Sequence, residues 1–171
     1  MSDNKKNNFK IRDMMARDNE SVAFLVRYNL KKHGLDIPGT VYFDSVVDNL
    51  YEYYSASDKR GYYVLVDDKD TVLGGIGLDD FPLFKNCAEL QKLYLADSAK
   101  GKGLGYELIK HVEKKMLEKG YTASYLETHS NLEAAIHIYE KSGYSRIDKP
   151  KEVMHGAMNV FLYKSLENKK S

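Results

Sequence analysis

The chain has 171 residues, with 26 lysines and arginines against 25 aspartates and glutamates, a formal charge of +1, 14 tyrosines and a single cysteine. That length fits one domain with a real core but not two. The balanced charge gives no global field for nucleic acid or an anionic membrane, and one cysteine makes no internal disulfide.

No run approaches the roughly 20 apolar residues of a membrane-spanning helix. The opening MSDNKKNN lacks the apolar core of a signal peptide, so a reducing cytoplasm is the expected location. Residues 1–8 are polar and expected to fray, leaving a single domain over residues 9–165.

Residues 9–12 open a strand. Asp18 is then the expected cap of a helix whose face carries Val22, Leu25, Val26 and Leu30, with Lys31, Lys32 and His33 suited to its negative end. A loop spans residues 34–39. Val47, Leu50, Tyr51 and Tyr54 recur at the spacing of a buried stripe and predict a second helix from Asp44. The row Asp44, Asp48 and Glu52 beside that stripe suits a cationic amine, although the wet side of an amphipathic helix is the plainer reading.

Residues 61–66 and 71–78 read as a hairpin around Asp67, Asp68, Lys69 and Asp70. Residues 89–95 form the next strand. After a glycine-rich turn, Leu108, Ile109, Val112 and Met116 mark a helix that stops at Gly120. A strand over residues 123–127 follows. Ser130 and Glu133 are spaced as a capping box for a helix with the inward stripe Leu132, Ala135, Ile136 and Tyr139, closed by Gly143. Residues 144–147 and 159–163 finish the sheet. The order predicts a mixed α/β (α+β) domain, and the strand–helix–strand unit over residues 89–127 demands one parallel, right-handed crossover.

The sharpest feature is Lys100, Gly101, Lys102, Gly103, Leu104 and Gly105, set between a strand and the helix from Tyr106. Free N–H groups at a helix start, with glycines that admit close approach, suit a phosphate. A loop of convenience is the other reading. No Lys-Ser/Thr pair opens the helix, which disfavours a nucleoside triphosphatase, and the glycine spacing fails the Rossmann pattern.

This turn resembles the coenzyme A pyrophosphate loop of the GNAT N-acetyltransferase family, Gln/Arg-x-x-Gly-x-Gly/Ala, with Lys100, Gly103 and Gly105 in its positions and lysine as the departure. ELQKLYL, AKGKGLG, YLET and NLEAAIHIYEKSGY succeed one another in that family's order. The resemblance implies a mostly antiparallel sheet with one splayed parallel pair. It places a bulge near Lys92 and Leu93, and lays the pantetheine of acetyl-coenzyme A along Leu93, Tyr94 and Leu95. Residues 100–106, Asn131 and Tyr139 complete the implied cosubstrate contacts. No metal is implied. The partners are then acetyl-coenzyme A and an amine, with neither nucleic acid nor membrane, in a monomer or homodimer.

For catalysis the resemblance brings the Tyr139 hydroxyl to the coenzyme sulfur and makes Glu89, opening the fourth strand, a general base. Core packing and a solvated strand end are the plain readings of these two. Asn131 is either a coenzyme contact or a helix-start residue. Glu127 and Thr128 read as ordinary strand-end polarity that sits where an acceptor pocket would be. Cys87 reads as a packing cysteine. The histidines His33, His111, His129, His137 and His155 lack zinc-ligand spacing, and His155 is either a loop residue or an acceptor contact. A non-catalytic acyl-coenzyme A module and a structural domain with a fortuitous loop are the rival classes.

Overall fold

The computed structural model describes residues 8–154 and 156–167. The stretch expected to fray lies, apart from Asn8, outside the described residues, as does His155. The chain runs β1 (Lys10–Asp13), α1 (Asn19–Lys32), α2 (Leu50–Ser55), β2 (Gly61–Val66), β3 (Val72–Asp80), β4 (Cys87–Leu95), α3 (Leu104–Glu118), β5 (Ala123–Thr128), α4 (Glu133–Lys141), β6 (Ser145–Ile147) and β7 (Val160–Ser165). This is the expected order of strands and helices. The strands form one sheet in the order β1-β2-β3-β4-β5-β7-β6, with every neighbouring pair antiparallel except β4 and β5.

Strand pleating splits β2 between two cores. Tyr63 and Leu65 join Leu108, Ile109, Val112 and Met116 of α3, while Tyr62, Val64 and Val66 join Val22, Val26 and Leu30 of α1 and Leu50 and Tyr54 of α2. Both faces of the sheet are thereby covered. In α4, Ile136 and Tyr139 enter the α3 core, whereas Leu132, just before the helix, packs against the α1 core.

Three local expectations fail, two of them because a polar side chain finds a stronger partner. Asp18 does not cap α1 with its side chain. Its carboxylate takes the Met15 N–H at 2.7 Å and the Arg12 guanidinium at 2.8 and 3.0 Å, a charge-assisted arrangement buried where β1 turns towards α1. The helix expected from Asp44 starts only at Leu50. Asp44 accepts the Val46 N–H at 2.9 Å and opens a 3-10 turn, Ser45–Asn49, in which the β-branched pair Val46 and Val47 precedes the regular helix. Ser130 and Glu133 form no capping box, because Asn159 takes the Ser130 N–H at 2.9 Å and donates to its hydroxyl at 3.1 Å.

Candidate active site

The sheet opens between β4 and β5. Their parallel register holds for Cys87 with Ala123, Ala88 with Ser124 and Glu89 with Tyr125, and beyond these residues the strands diverge. From Leu90 onward the β5-facing edge of β4 has no strand partner, so its backbone groups are left for a ligand. On the other edge, Gly77 pairs with Gln91 but Gly75 pairs with Tyr94. Three steps along β4 therefore oppose two along β3, which is a bulge at Lys92 and Leu93, and Lys92 takes φ 51°. The Tyr62 hydroxyl donates to the Lys92 carbonyl at 2.9 Å. Its ring lies so close over β3 that a Cβ on Gly75 or Gly77 would fall 2.5 or 2.7 Å from it.

Below the gap the glycine-rich turn leads into α3. Gly103, the residue before the helix, has φ 73°, and an added Cβ there would meet nothing within 4 Å, so the position needs glycine for its backbone and faces open space. Lys100 donates to Asn29 Oδ1 at 3.0 Å and to Asp97 at 3.0 Å. Asp97 also accepts from the Tyr28 hydroxyl at 2.6 Å and from Lys32 at 3.0 Å, and these donors hold its carboxyl far below the usual range. Asn29, buried in α1, donates from Nδ2 to the Leu95 carbonyl at 3.1 Å. One amide thus ties α1 to the end of β4 and to Lys100.

Two cavities meet in this gap. The larger, about 730 Å³, is lined by Leu93, Tyr94, Leu95, Lys100, Gly101 and residues 103–106, and on its other walls by Asn29, Lys32, His33, residues 132–135, His137 and Ile138. The smaller, about 230 Å³, is lined by Glu89, Gln91, Lys92, Glu127, Thr128 and Tyr139 among others. Tyr94, Leu132 and Ala135 belong to both walls. Of the residues implied as cosubstrate contacts or catalytic groups, Lys102 and Asn131 line neither. Lys102 lies 5.4 Å from the Phe9 ring centroid, and Asn131 precedes α4 and donates to the His33 carbonyl at 3.0 Å. Asn29 was not singled out in the sequence, and Lys32 and His33 were read there only as charges suited to a helix end. The available signal was an asparagine within the apolar stripe of α1.

The smaller chamber shifts the proton affinity of what lines it. Burial raises Glu89 from 4.5 to about 7, against the Gln91 hydrogen bond at 3.1 Å and with help from Glu127. Gln91 is itself held by the Tyr54 hydroxyl at 2.7 Å, and Glu127 accepts from Tyr125 at 2.9 Å. Burial pushes the Tyr139 phenol well above its usual value. Cys87 is buried beneath this end of the sheet, and its thiol is pushed up to about 12 by desolvation, with Glu89 and Asp80 adding to the shift. Among the described residues no cluster of three His, Cys, Asp or Glu side chains forms a metal cage. No helix among them is long and apolar enough to cross a membrane.

The chain matches the acetyltransferase (GNAT) family over residues 21–144, and it belongs to that family. It is 32% identical over 142 residues to the uncharacterised N-acetyltransferase YjgM of Escherichia coli K12, covering 81% of this chain and 83% of that protein. A GNAT-family acetyltransferase from Staphylococcus aureus Mu50 shares the fold with a TM-score of 0.82 at 19% identity, covering 94% of this chain and all of that one. The PaiA N-acetyltransferase of Thermoplasma acidophilum, solved in complex with coenzyme A, shares it with a TM-score of 0.72 at 22% identity over 92% of this chain and 99% of the other. The protein is an acetyltransferase by family, with the family's mixed sheet and its one parallel pair.

Proposed function

We propose that this acetyltransferase is one cytoplasmic domain over residues 9–165, in which acetyl-coenzyme A occupies the larger cleft and a primary amine enters the smaller chamber. The supporting observation is that the two cavities meet at Tyr94, Leu132 and Ala135, with Glu89 and Tyr139 on the chamber side. The cleft fits the coenzyme chemically. Its glycine turn before α3 offers free N–H groups and space to a pyrophosphate, and the unpaired edge of β4 at Leu93, Tyr94 and Leu95 offers a strand-like partner to pantetheine amides.

An alkylamine is mostly protonated at neutral pH and must lose a proton before it attacks. Glu89, raised to about 7, is a stronger base than an ordinary carboxylate and keeps a substantial ionised fraction at that pH. It accepts the amine proton. The amine nitrogen then bonds to the acetyl carbonyl carbon as the carbon–sulfur bond breaks. Tyr139, whose raised value keeps its phenol protonated, gives its phenol proton to the departing sulfur and regains one from the second proton that the new amide nitrogen sheds, while Glu89 releases the first to solvent.

Mass spectrometry of a broad set of amines incubated with the purified chain and acetyl-coenzyme A tests this reading. An acetyl mass gain on an amine, matched by release of free coenzyme A thiol, is the expected result. Coenzyme binding without acetylation of any amine would instead make the chain a non-catalytic acyl-coenzyme A module.

A further inference from the structure

Lys92 has no part in the proton transfers just described, yet its placement is expensive. Its backbone holds φ 51°, a left-handed conformation uncommon for a long side chain, at the bulge that re-aims β4. The side chain lines the smaller chamber beside the Tyr54 ring, with Nζ 5.7 Å from the ring centroid. Its one hydrogen bond among the described residues is a long one, to the Tyr54 hydroxyl at 3.4 Å. No carboxylate of the described residues forms an ion pair with it. Burial pushes the ammonium down, while Glu89, Asp44 and Asp79 pull it back up from a distance. A half-buried cation with two donor positions free is costly unless something arrives to pair with it.

The same chamber also carries the opposite charge. Glu89 and Glu127 line it, and Glu89 is joined to the Lys92 wall through Gln91 and the Tyr54 hydroxyl. A cavity of about 230 Å³ lined by an ammonium and by carboxylates complements a small molecule that itself carries one positive and one negative group. A polyamine would bring a second cation towards Lys92. A simple alkylamine would leave Lys92 unpaired.

We propose that the chamber selects amino-carboxylates, α-amino acids or molecules of comparable size, with the Lys92 ammonium receiving the acceptor carboxylate and Glu89 and Glu127 facing its amine. The inference rests on the reading of the chamber as the acceptor site. Lys92 is then a specificity-determining residue, since a site built to pair a buried charge rejects analogues that lack the partner.

The test compares acetylation of amino acids with amines that differ only by loss of the carboxylate, leucine against isoamylamine and phenylalanine against phenethylamine, together with the methyl esters. Removing the carboxylate is expected to lower kcat/KM by about 10²-fold, mostly through KM. Lys92→Met is expected to bring the ratio of the two kcat/KM values close to one, and Lys92→Arg to keep most of the preference. Coenzyme affinity and thermal midpoint, measured on each variant, report whether the fold persists. Equal use of amino acids and decarboxylated amines by the parent overturns the proposal, whether or not the variants fold. So does a Lys92→Met variant that loses both substrate classes in parallel. If the parent acetylates no amine of either class while still binding coenzyme, the reading of the acceptor chamber falls first and this inference with it.

Discussion

The larger cleft and the smaller chamber line successive stretches of the same bulged strand, yet they are built by different means. The cleft is made mainly of backbone and apolar surface: a left-handed glycine before a helix, an unpaired strand edge and the Ala134 and Ala135 side of α4. The charges at its α1 wall largely satisfy one another, with Lys32 and Lys100 both held by Asp97. The chamber is made of side chains whose proton affinities are displaced, with Glu89 and Tyr139 raised and Lys92 lowered. Backbone suits a ligand that must be held in the same way every turnover. Displaced side chains suit a step in which protons move.

The sharpest way to break that contrast is Tyr139→Phe. The ring keeps its place in the core with Ile136 and Tyr144, so only the hydroxyl is lost. The rate at saturating coenzyme is expected to fall within the roughly 10²- to 10⁴-fold range of a positioned acid, with coenzyme affinity unaltered. Steady-state kinetics and calorimetry check the two halves, and a rate within a few-fold of the parent would leave Tyr139 a packing residue.

Gly103→Asp addresses the other side. It puts a negative side chain into the open space before α3 and strains a left-handed backbone position that aspartate tolerates better than most residues. Coenzyme affinity should drop by about 10²-fold, the equivalent of roughly 2.7 kcal/mol. Circular dichroism accompanies the titration, and unchanged affinity in a folded variant would move the anion site elsewhere.

Glu89→Gln should act through pH. The parent's kcat/KM is expected to rise with an inflection near 7 as Glu89 ionises, and the variant should lose that inflection, with the largest deficit, about tenfold or more, on the acid side where the amine is least deprotonated. Stability carries the same signature. A group raised from 4.5 to about 7 contributes stability that is intact below 4.5 and is lost as pH rises through 7, so the parent weakens over that window and Glu89→Gln does not. Parallel denaturation curves for the two proteins would contradict the half-buried, raised carboxylate.

The smallest effect is expected for Asn29→Ala. It removes the amide that holds the Leu95 carbonyl and leaves Lys100 to Asp97 alone at the α1 wall of the cleft, for a loss of about tenfold in coenzyme affinity with kcat preserved. Equal affinity in titrations of parent and variant would show that Lys100 needs no anchoring.

Residues 100–106 announced themselves in the sequence because a left-handed turn before a helix leaves a glycine pattern in consecutive positions. The order of strands and helices was legible for a related reason, since stripe and alternation are local signals. The chamber was only half legible. Glu89 and Tyr139 are 50 positions apart and emerged from the resemblance, while the burial that shifts them comes from long-range packing. Asn29 was hidden by the apolar stripe around it. The caps expected of Asp18 and Ser130 went astray because their competitors, Arg12 on the neighbouring strand β1 and Asn159 29 positions away, are brought in by the fold and not by any cap spacing.

The division of labour between cleft and chamber is tested most directly by a double-mutant cycle on Gly103→Asp and Tyr139→Phe, with coenzyme affinity and saturated rate measured on the parent, both single variants and the double. The account predicts that the double variant combines the affinity of one single variant with the rate of the other, with additivity in each quantity to within about 0.5 kcal/mol. A coupling well above 1 kcal/mol in either quantity would contradict the account, because binding and reaction would then depend on both residues together.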